Sequence, residues 1–279
     1  MIKLSPSTYH SDPKIDRLSQ EEADADIRGK IEQVRVEFPR AGYRMLLPNL
    51  KRNGVIIGER KLRRIIKKFE LEIRPKRRFV RTTDSNHKFN IYKNLIHEMT
   101  VDNINQVWVS DITYIRINNG FVYLAVILDV YSRRVVGWAI SKKIDHQLAL
   151  NALKMAILQR KPLRGCIHHS DRGVQYLCDK YVQELKSSGF HISNSAKGNP
   201  YDNAWAESFM KTLKYDEIYL RKYETYLDVI ERLPQFIEEV YNQRRLHSSL
   251  KYISPNEFEK KIEVEYQNNN SADRPKLKL

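Results

Sequence analysis

The stretch QVWVSDITYIRI, Gln106 to Ile117, decides the fold of this 279-residue chain. Apolar residues occupy both faces of the strand that it predicts, which is typical of a central strand covered on both sides. A turn at Asn118–Gly120 follows, and FVYLAVILDVYS and RRVVGWAIS predict two further strands. These three strands are expected to form an antiparallel meander.

Helices and strands alternate after the meander. The patterns predict a helix over His146–Arg160, a short strand in GCIHHSD that ends on Asp171, a helix over Gln175–Ser188 and a fifth strand in FHISNS. The fold is therefore expected to be α/β, with a mixed five-stranded sheet flanked by helices. The chain after Tyr215 is predicted to be mainly helical, and the polar residues Gln267–Leu279 are expected to be disordered.

A strongly basic segment precedes the sheet. Of the net charge of +15, residues Arg40 to Lys93 carry +13, with 17 Lys and Arg against 4 Asp and Glu. Such a segment indicates nucleic-acid binding, because membrane-surface binding would need an amphipathic helix with exposed aromatic anchors. The longest apolar run, Phe121–Leu128, is too short to span a bilayer. Two cysteines, no Cys-x-x-Cys pair and no signal-peptide pattern favour the cytoplasm and exclude a zinc site.

The basic segment has the pattern of a helix-turn-helix. Tyr43–Arg52 predicts a short helix, Asn53–Gly54 a turn, and Gly58–Glu70 a second helix with one apolar face. DNA contacts are predicted for six side chains of that helix and for two in the linker after it: Arg60, Lys61, Arg63, Arg64, Lys67, Lys68, Arg77 and Arg78. A charged helix that only faces solvent is the alternative.

Glu207 is a candidate acid within NPYDNAWAESFMKTLKY, Asn199 to Tyr215, which predicts a loop followed by a helix. Helical spacing places Glu207, Lys211 and Lys214 on one exposed stripe, with an apolar face behind it. A carboxylate beside two lysines can hold a divalent cation next to phosphate groups. The alternative is an ordinary Glu–Lys pair on a helix surface.

Asp111 and Asp171 are the other two candidate acids. Asp111 lies in the middle of an apolar strand, where a carboxylate is costly unless it is paired or binds a metal. Asp171 ends a strand, and sites form at the carboxyl ends of strands in open α/β sheets. An edge position or an arginine partner for Asp111, and a simple turn role for Asp171, are the alternatives. If both converge with Glu207, the three acids would hold two Mg²⁺ ions about 4 Å apart, with Mn²⁺ as a substitute.

Five motifs occur in a fixed order: WVSDITYI, YLAVILDVYSRRVVGW, HHSDRGVQY, SNSAKGNPYDNAWAESFMKTLK and YNQRRLHSSLKYISP. Together they resemble the integrase catalytic core of bacterial insertion-sequence transposases, of the OrfB type of the IS-three family. The 35 residues between Asp171 and Glu207 match the D-D-35-E pattern of that family. GYRMLLPNLKRNGVIIGERKLRRIIKK resembles the helix-turn-helix that precedes the core there, so the resemblance extends from Asp26 to Lys260.

The resemblance implies a ribonuclease H-like fold with Asp111, Asp171 and Glu207 as the catalytic, metal-binding triad. Lys211 and Lys214 would grip the terminal DNA of the element. The implied activity is metal-dependent cleavage and strand transfer at terminal inverted repeats, into target DNA. Implied partners are further copies of this chain on DNA and an upstream OrfA-type product or fusion.

Four segments follow from this resemblance. They are residues 1–37 for an N-terminal helical segment, 38–95 for the helix-turn-helix and linker, 103–262 for the catalytic core and 263–279 for a polar tail. The beginning of the chain, LSPSTYH, resembles the interior of a fusion, so the chain is expected to be the downstream product.

Other polar residues are given lesser roles. Asp202 or Asn203 is expected to cap the helix of Glu207, and His169 and Asn203 are accessory candidates. Asp129 is interpreted as a turn residue or a partner of the next two arginines. Two rival functions stay open: a nuclease of the same fold that does not join strands, and a DNA-binding regulator with an inactive core.

Overall fold

The computed structural model describes residues 17–73, 89–196 and 203–272. The chain divides into two compact units, Met1–Arg77 and Arg78–Leu279. The first is helical, and the second is built around a sheet. None of the helices in the described ranges is long and apolar enough to cross a membrane.

Three helices form the described part of the first unit, residues 17–73. They are α1 (Arg17–Glu37), α2 (Tyr43–Arg52) and α3 (Glu59–Lys68). Their buried apolar residues include Ile27, Ile31, Val34, Leu46, Leu50, Leu62 and Ile65. Gly54, in the turn between α2 and α3, has a φ of 78°, a left-handed conformation that favours glycine. The predicted pair of helices with a glycine-containing turn is confirmed.

Asp24 of α1 is buried and binds two cations of α3. Its carboxylate accepts a hydrogen bond from Arg64 at 2.7 Å and one from Lys68 at 3.0 Å. Burial opposes ionisation of Asp24, but the hydrogen bonds from Lys68 and Arg64 outweigh it and lower the pKa of Asp24. Two of the basic side chains of α3, Arg64 and Lys68, therefore hold α3 against α1.

The second unit contains the predicted mixed sheet. Its strands are β1 (Val107–Ile117), β2 (Gly120–Asp129), β3 (Val135–Ser141), β4 (Ile167–Ser170) and β5 (His191–Asn194). The spatial order is β3-β2-β1-β4-β5, with β1 in the centre. β2 is antiparallel to β1 and β3, whereas β4 is parallel to β1 and to β5. The meander and the central position of β1 are confirmed.

Helices cover both faces of the sheet. The α-helices in the described part of this unit are α4 (His146–Arg160), α5 (Val174–Leu177), α6 (Asp179–Ser187), α7 (Ala204–Leu213), α8 (Tyr226–Gln235) and α9 (Pro255–Ala272). Val107 and Val109 of β1 pack in one core with α7 and α8, and Trp108 packs in the other core with α4 and α6. This division explains why β1 is apolar on both faces.

Several helical segments differ from the sequence expectation. The helix predicted over Gln175–Ser188 is broken at Cys178, whose backbone is extended with φ of −66° and ψ of 149°. α7 continues as a π-helix over Lys214–Ile218, and α8 continues as a π-helix over Phe236–Arg244. The tail that was expected to be disordered from Gln267 is helical as far as Ala272, and the residues after it lie outside the described part.

Ion pairs hold the π-helix that follows α7. Its Asp216 pairs with Arg245. Its Glu217 accepts a hydrogen bond from the Tyr223 hydroxyl at 2.7 Å and one from Arg232 at 3.3 Å. Both acids are buried, so each is neutralised within the fold.

Gly137 of β3 lies directly against α4, and this contact leads to a prediction about stability. A Cβ atom at this position would be 2.4 Å from the carbonyl oxygen of Ala152 and 2.6 Å from Cβ of Ala156. Because the nearest atom belongs to the backbone, the strand or the helix must move. We expect Gly137→Ala to lower the free energy of unfolding by ~1–3 kcal/mol, measured by urea denaturation. Leu158→Ala, at an exposed position of α4, is the control, and an equal effect of both substitutions would contradict the close packing.

Candidate active site

Asp111 lies on β1 just beyond the part of that strand that pairs with β4. The parallel pairing ends at Val109 and His169, and Asp111 itself faces Val126 of β2. Oδ1 of Asp111 accepts a hydrogen bond from the backbone N–H of Ile112 at 2.8 Å. Asp111 is thus on the central strand, and within the described ranges it has no arginine partner.

The pKa of the Asp111 carboxyl is raised to about 7, and burial is the largest cause. The negative charge of Asp171 raises this pKa further, and Glu207 has a smaller effect in the same direction. The N–H of Ile112 and the charge of Lys214 act against them. Asp111 is therefore within electrostatic range of both other candidate acids.

Asp171 directly follows β4, which is parallel to β1, so the strand places it beside Asp111. Its Oδ1 accepts a hydrogen bond from the backbone N–H of Gly173 at 2.9 Å. Its carbonyl oxygen accepts from the side-chain amide of Asn194 at 3.4 Å. Burial raises the pKa of Asp171, and the N–H of Gly173 opposes this effect. The turn and the end of β5 thus fix both the backbone and the carboxylate.

Glu207 lies on the exposed face of α7. The opposite face packs into the core through Phe209, Met210 and Leu213. Burial, although incomplete, raises the pKa of Glu207. Lys211 follows on the exposed side. The predicted exposed stripe is confirmed for Glu207 and Lys211, whereas Lys214 is half-buried and begins the π-helix that follows α7.

The arrangement of the acids is suited to a cation but is not a closed metal site. Among the described residues, no three His, Cys, Asp or Glu side chains are grouped so as to hold a metal ion. The structure brings Asp111 and Asp171 together, whereas Glu207 acts on Asp111 more weakly. The donor atoms are carboxylate oxygens that repel one another, which is the donor set that hard divalent cations prefer.

Asn203 fixes the start of α7 to β1. Its side-chain amide donates a hydrogen bond to the carbonyl oxygen of Ser110 at 3.1 Å, one residue before Asp111. The Asn203 side chain does not cap α7, so that prediction is wrong for Asn203. Asp202, the other predicted cap, lies outside the described residues.

The predicted accessory role of His169 is wrong. The side chain is buried, and its two ring nitrogens lie 2.8 Å from the Ser193 hydroxyl and 3.0 Å from the Ser195 hydroxyl. Neither nitrogen is left to contact phosphate or water. His169 therefore positions β4 against the end of β5, and its partners are too far away in sequence for a motif to reveal them.

Asp129 is a turn residue, as one of the two interpretations predicted. Its Oδ1 accepts hydrogen bonds from the backbone N–H groups of Tyr131 and Ser132 at 3.0 Å and 2.9 Å. Within the described ranges Asp129 forms no ion pair with either arginine: Arg134 pairs with Glu259 at 2.8 Å, and the charge of Asp129 acts on Arg133 only by raising its pKa.

Tyr176 of α5 is a site residue that the sequence reasoning missed. It is buried, and its pKa is raised well above the ordinary value, first by burial and then by the charges of Asp111 and Asp171. A neutral phenol therefore lies close to the two acids. Its place in HHSDRGVQY, five positions after Asp171, was the signal available in the sequence.

The predicted DNA-contacting side chains of α3 fall into two groups. Arg63 pairs with Glu59, and Arg64 and Lys68 bind Asp24. The second group is exposed and, within the described ranges, makes no hydrogen bond or ion pair: Arg60, Lys61 and Lys67. Two more predicted contacts, Arg77 and Arg78, lie outside the described residues.

The fold and the site together define a class of protein. One acid lies within the central strand of a mixed five-stranded sheet, a second directly follows the neighbouring parallel strand, and a third lies on a helix that packs on the central strand. This is the arrangement of a ribonuclease H-like integrase core.

Comparison with known proteins identifies the family. Residues 102–200 and residues 188–255 match two families, each described as an integrase core domain. The chain is 40% identical over 221 residues to the "Insertion element IS600 uncharacterized 31 kDa protein" of Shigella sonnei, covering 79% of this chain and 81% of that protein. It is 35% identical over 223 residues to the "Transposase InsF for insertion sequence IS3A" of Escherichia coli (strain K12), covering 80% and 77%.

Among solved structures, a chain of the simian T-cell lymphotropic virus intasome has a TM-score of 0.48 and 16% identity, covering 70% of this chain and 63% of that one. The family is identified by the relatives that are similar in sequence. The chain belongs to the IS3 family of insertion-sequence transposases, and its function is DNA transposition.

The raised pKa of Asp111 predicts how the stability of the metal-free protein depends on pH. The folded-state pKa of about 7 lies above the unfolded value of about 3.9. The stabilising proton is therefore fully bound below about pH 4 and is lost as the pH rises through about 7. We expect Asp111→Asn to be more stable than the wild type at about pH 8, by on the order of 1–3 kcal/mol. The difference should vanish near pH 4 in urea titrations with EDTA.

Asp228 is the matched control, because its pKa is shifted the other way. The backbone N–H groups of Thr225 and Glu224 lower the pKa of Asp228. Asp228→Asn should therefore reduce stability at neutral pH, and the loss should fade in acid. A constant difference between Asp111→Asn and the wild type across this range would contradict the argument.

Proposed function

We propose that Asp111, Asp171 and Glu207 are the catalytic acids of transposition and hold two Mg²⁺ ions, which Mn²⁺ can replace. The observation that carries the proposal is the position of Asp111, where burial and the neighbouring Asp171 raise the pKa to about 7. A divalent cation relieves this repulsion. Bound there, the ions would lower the pKa of the attacking hydroxyl group and stabilise charge on the leaving oxygen.

Backbone groups prepare both aspartates for this role. The N–H of Ile112 binds one oxygen of Asp111, and the N–H of Gly173 binds one oxygen of Asp171. The second oxygen of each makes no hydrogen bond within the described ranges and is available to a cation. The bond between Asn203 and β1 keeps the helix that carries Glu207 beside them.

The proposed chemistry has two steps. Water attacks a phosphodiester at an end of the insertion sequence and releases a 3′-hydroxyl. That hydroxyl attacks a phosphodiester of the target DNA, so that a new P–O bond joins the strands while the bond from phosphorus to the 3′-oxygen of the target strand breaks. No covalent bond between protein and DNA forms. Lys211 and Lys214 bind phosphate groups of the terminal DNA beside the acids.

The proposed partners follow from this chemistry. They are the terminal inverted repeats, target DNA and further copies of this chain, because two ends must be held together. An upstream OrfA-type product, separate or fused, is a further partner supported by the family resemblance. DNA transposition of this kind takes place in the bacterial cytoplasm, at the nucleoid. Residues 38–95 bind DNA in this proposal, and residues 103–262 carry out the chemistry.

Glu207→Gln tests the catalytic assignment. With a labelled duplex end and Mg²⁺, we expect cleavage and strand transfer to fall at least ~1000-fold, because a lost ligand removes several kcal/mol of transition-state stabilisation. DNA affinity measured in the same samples should change less than about twofold. Glu231→Gln, on an exposed position of α8, removes the same charge and should keep full activity. Strand transfer that survives Glu207→Gln would overturn the assignment.

The same assay separates the rival functions. A pre-cut end with a 3′-hydroxyl is offered together with target DNA. A transposase yields joined products, whereas a nuclease of the same fold yields only shortened strands. A regulator with an inactive core would yield neither, both alone and when fused to the upstream partner.

The two groups of basic side chains on α3 lead to opposite predictions. Arg60→Ala should weaken DNA binding and reduce the slope of log affinity against log salt by about 0.9, because one phosphate contact is lost. Its effect on unfolding should be small. Arg64→Ala should instead destabilise the first unit, since it leaves buried Asp24 with one cation partner fewer. Equal salt slopes for Arg60→Ala and the wild type would argue against a DNA contact by that face.

A further inference from the structure

A cavity of about 260 Å³ opens beside α7. Trp205 lines it, and at 100° per residue Trp205 and Glu207 lie on nearly opposite sides of that helix. The rest of the lining combines two more aromatic rings, apolar side chains and one positive charge, including Tyr131, Phe258, Met99 and Arg133. The volume is below the range of about 300–1,000 Å³ that is usual for drug-sized ligands, so it suits a single planar group.

Arg133 is the only charged residue among the described residues that line the cavity. Its guanidinium carbon lies 5.8 Å from the centroid of the Trp205 ring. Arg133 makes no hydrogen bond and no ion pair with any part of the chain that the structure describes. The next residue, Arg134, behaves differently and pairs with Glu259 at 2.8 Å.

The backbone of Arg133 has an unfavourable conformation. Its φ of 62° is left-handed, which is unfavourable by about 1 kcal/mol for a residue other than glycine. The turn is held by Asp129, which accepts the N–H groups of Tyr131 and Ser132. Asp129 is thereby occupied with the backbone, and it does not pair with Arg133.

The guanidinium of Arg133 is partly buried, and within the described ranges no ion pair neutralises it. Burial lowers the pKa of Arg133, and the charges of Tyr241 and Asp129 act against this effect. Tyr131 and Phe258 form a fixed wall with ring centroids 5.2 Å apart. A ligand with a flat ring and an adjacent negative charge would stack on the aromatic side chains of the cavity and bind Arg133 at the same time.

We propose that this cavity binds one unstacked nucleotide of the DNA substrate, with its base against Trp205 and Tyr131 and its phosphate on Arg133. Aromatic side chains stack on bases of any sequence, and guanidinium groups bind phosphate oxygens with directed hydrogen bonds. The proposal rests on the function of the chain as a DNA transposase. It deepens that function by adding a nucleotide site across α7 from Glu207.

The position of the cavity gives this nucleotide a role. The diameter of a helix with its side chains is about 10 Å, and neighbouring nucleotides of one strand rise by about 3.4 Å. The bound base is therefore within a few nucleotides of the proposed acids. When the cavity holds one unstacked base, the DNA strand cannot slide along the protein. The phosphodiester that lies beside Glu207 is then fixed.

Tryptophan fluorescence of the full-length chain tests the proposal without metal, so no bond is broken. The probe is an oligonucleotide of eight thymidines, compared with an eight-unit abasic strand of the same charge. We expect the thymidine strand to quench the emission of Trp205 and the abasic strand not to do so. The signal is assigned by subtraction of Trp205→Phe, since the chain has two other tryptophans. Equal quenching by both strands overturns the proposal.

Arg133→Ala supplies the second arm, and its matched control is Lys142→Ala. Lys142 stacks on Tyr226 with its Nζ 4.9 Å from the ring centroid, so this control also removes one cation and one ring contact. We expect Arg133→Ala to weaken the quenching interaction about tenfold and Lys142→Ala to leave it within twofold. Equal effects of the two substitutions overturn the proposal. Because no acid of the triad takes part, loss of joining in Glu207→Gln leaves this result unaffected, and failure here leaves the catalytic assignment untouched.

Discussion

Repulsion between Asp111 and Asp171 is the constraint on which the rest of the second unit depends. Parallel pairing of β1 with β4 places two carboxylates side by side where burial disfavours their charge. The two apolar cores on either face of β1 supply the stability that makes this arrangement tolerable. Hydrogen bonds from backbone N–H groups then fix each carboxylate. The fold thus maintains a local excess of negative charge, which a divalent cation can balance.

Some basic side chains form ion pairs within the fold, and others are left to contact the substrate. Arg64 and Lys68 serve the fold through Asp24, while the exposed cations of α3 face solvent. In the second unit Arg245 pairs with Asp216, whereas Arg133 lies over the ring of Trp205 and forms no ion pair within the described ranges. A net charge of +15 therefore overstates what is available to DNA, and the pairing of each cation is more informative than the total.

The sheet was predictable, and the three acids could be proposed, because their signals are local or fixed in spacing. The apolar pattern of β1, the turns of the meander and the interval between Asp171 and Glu207 are visible in the sequence. The role of His169 was not, since its partners Ser193 and Ser195 come from the far end of β5. The break at Cys178 was missed for another reason. Its flanking residues fit one continuous helix, and only the extended backbone at that position separates α5 from α6.

The π-helix Lys214–Ile218 has a consequence for how this chain can change in length. A π-helix holds one residue more than an α-helical turn would. Deleting that one residue would return the segment to α-helical geometry and keep the chain after it in register. Asp216 and Glu217 cannot be the residue that is deleted, because Arg245 or Tyr223 would then lose its buried partner. A change of one residue in length is therefore tolerated at this point only where both acids are kept.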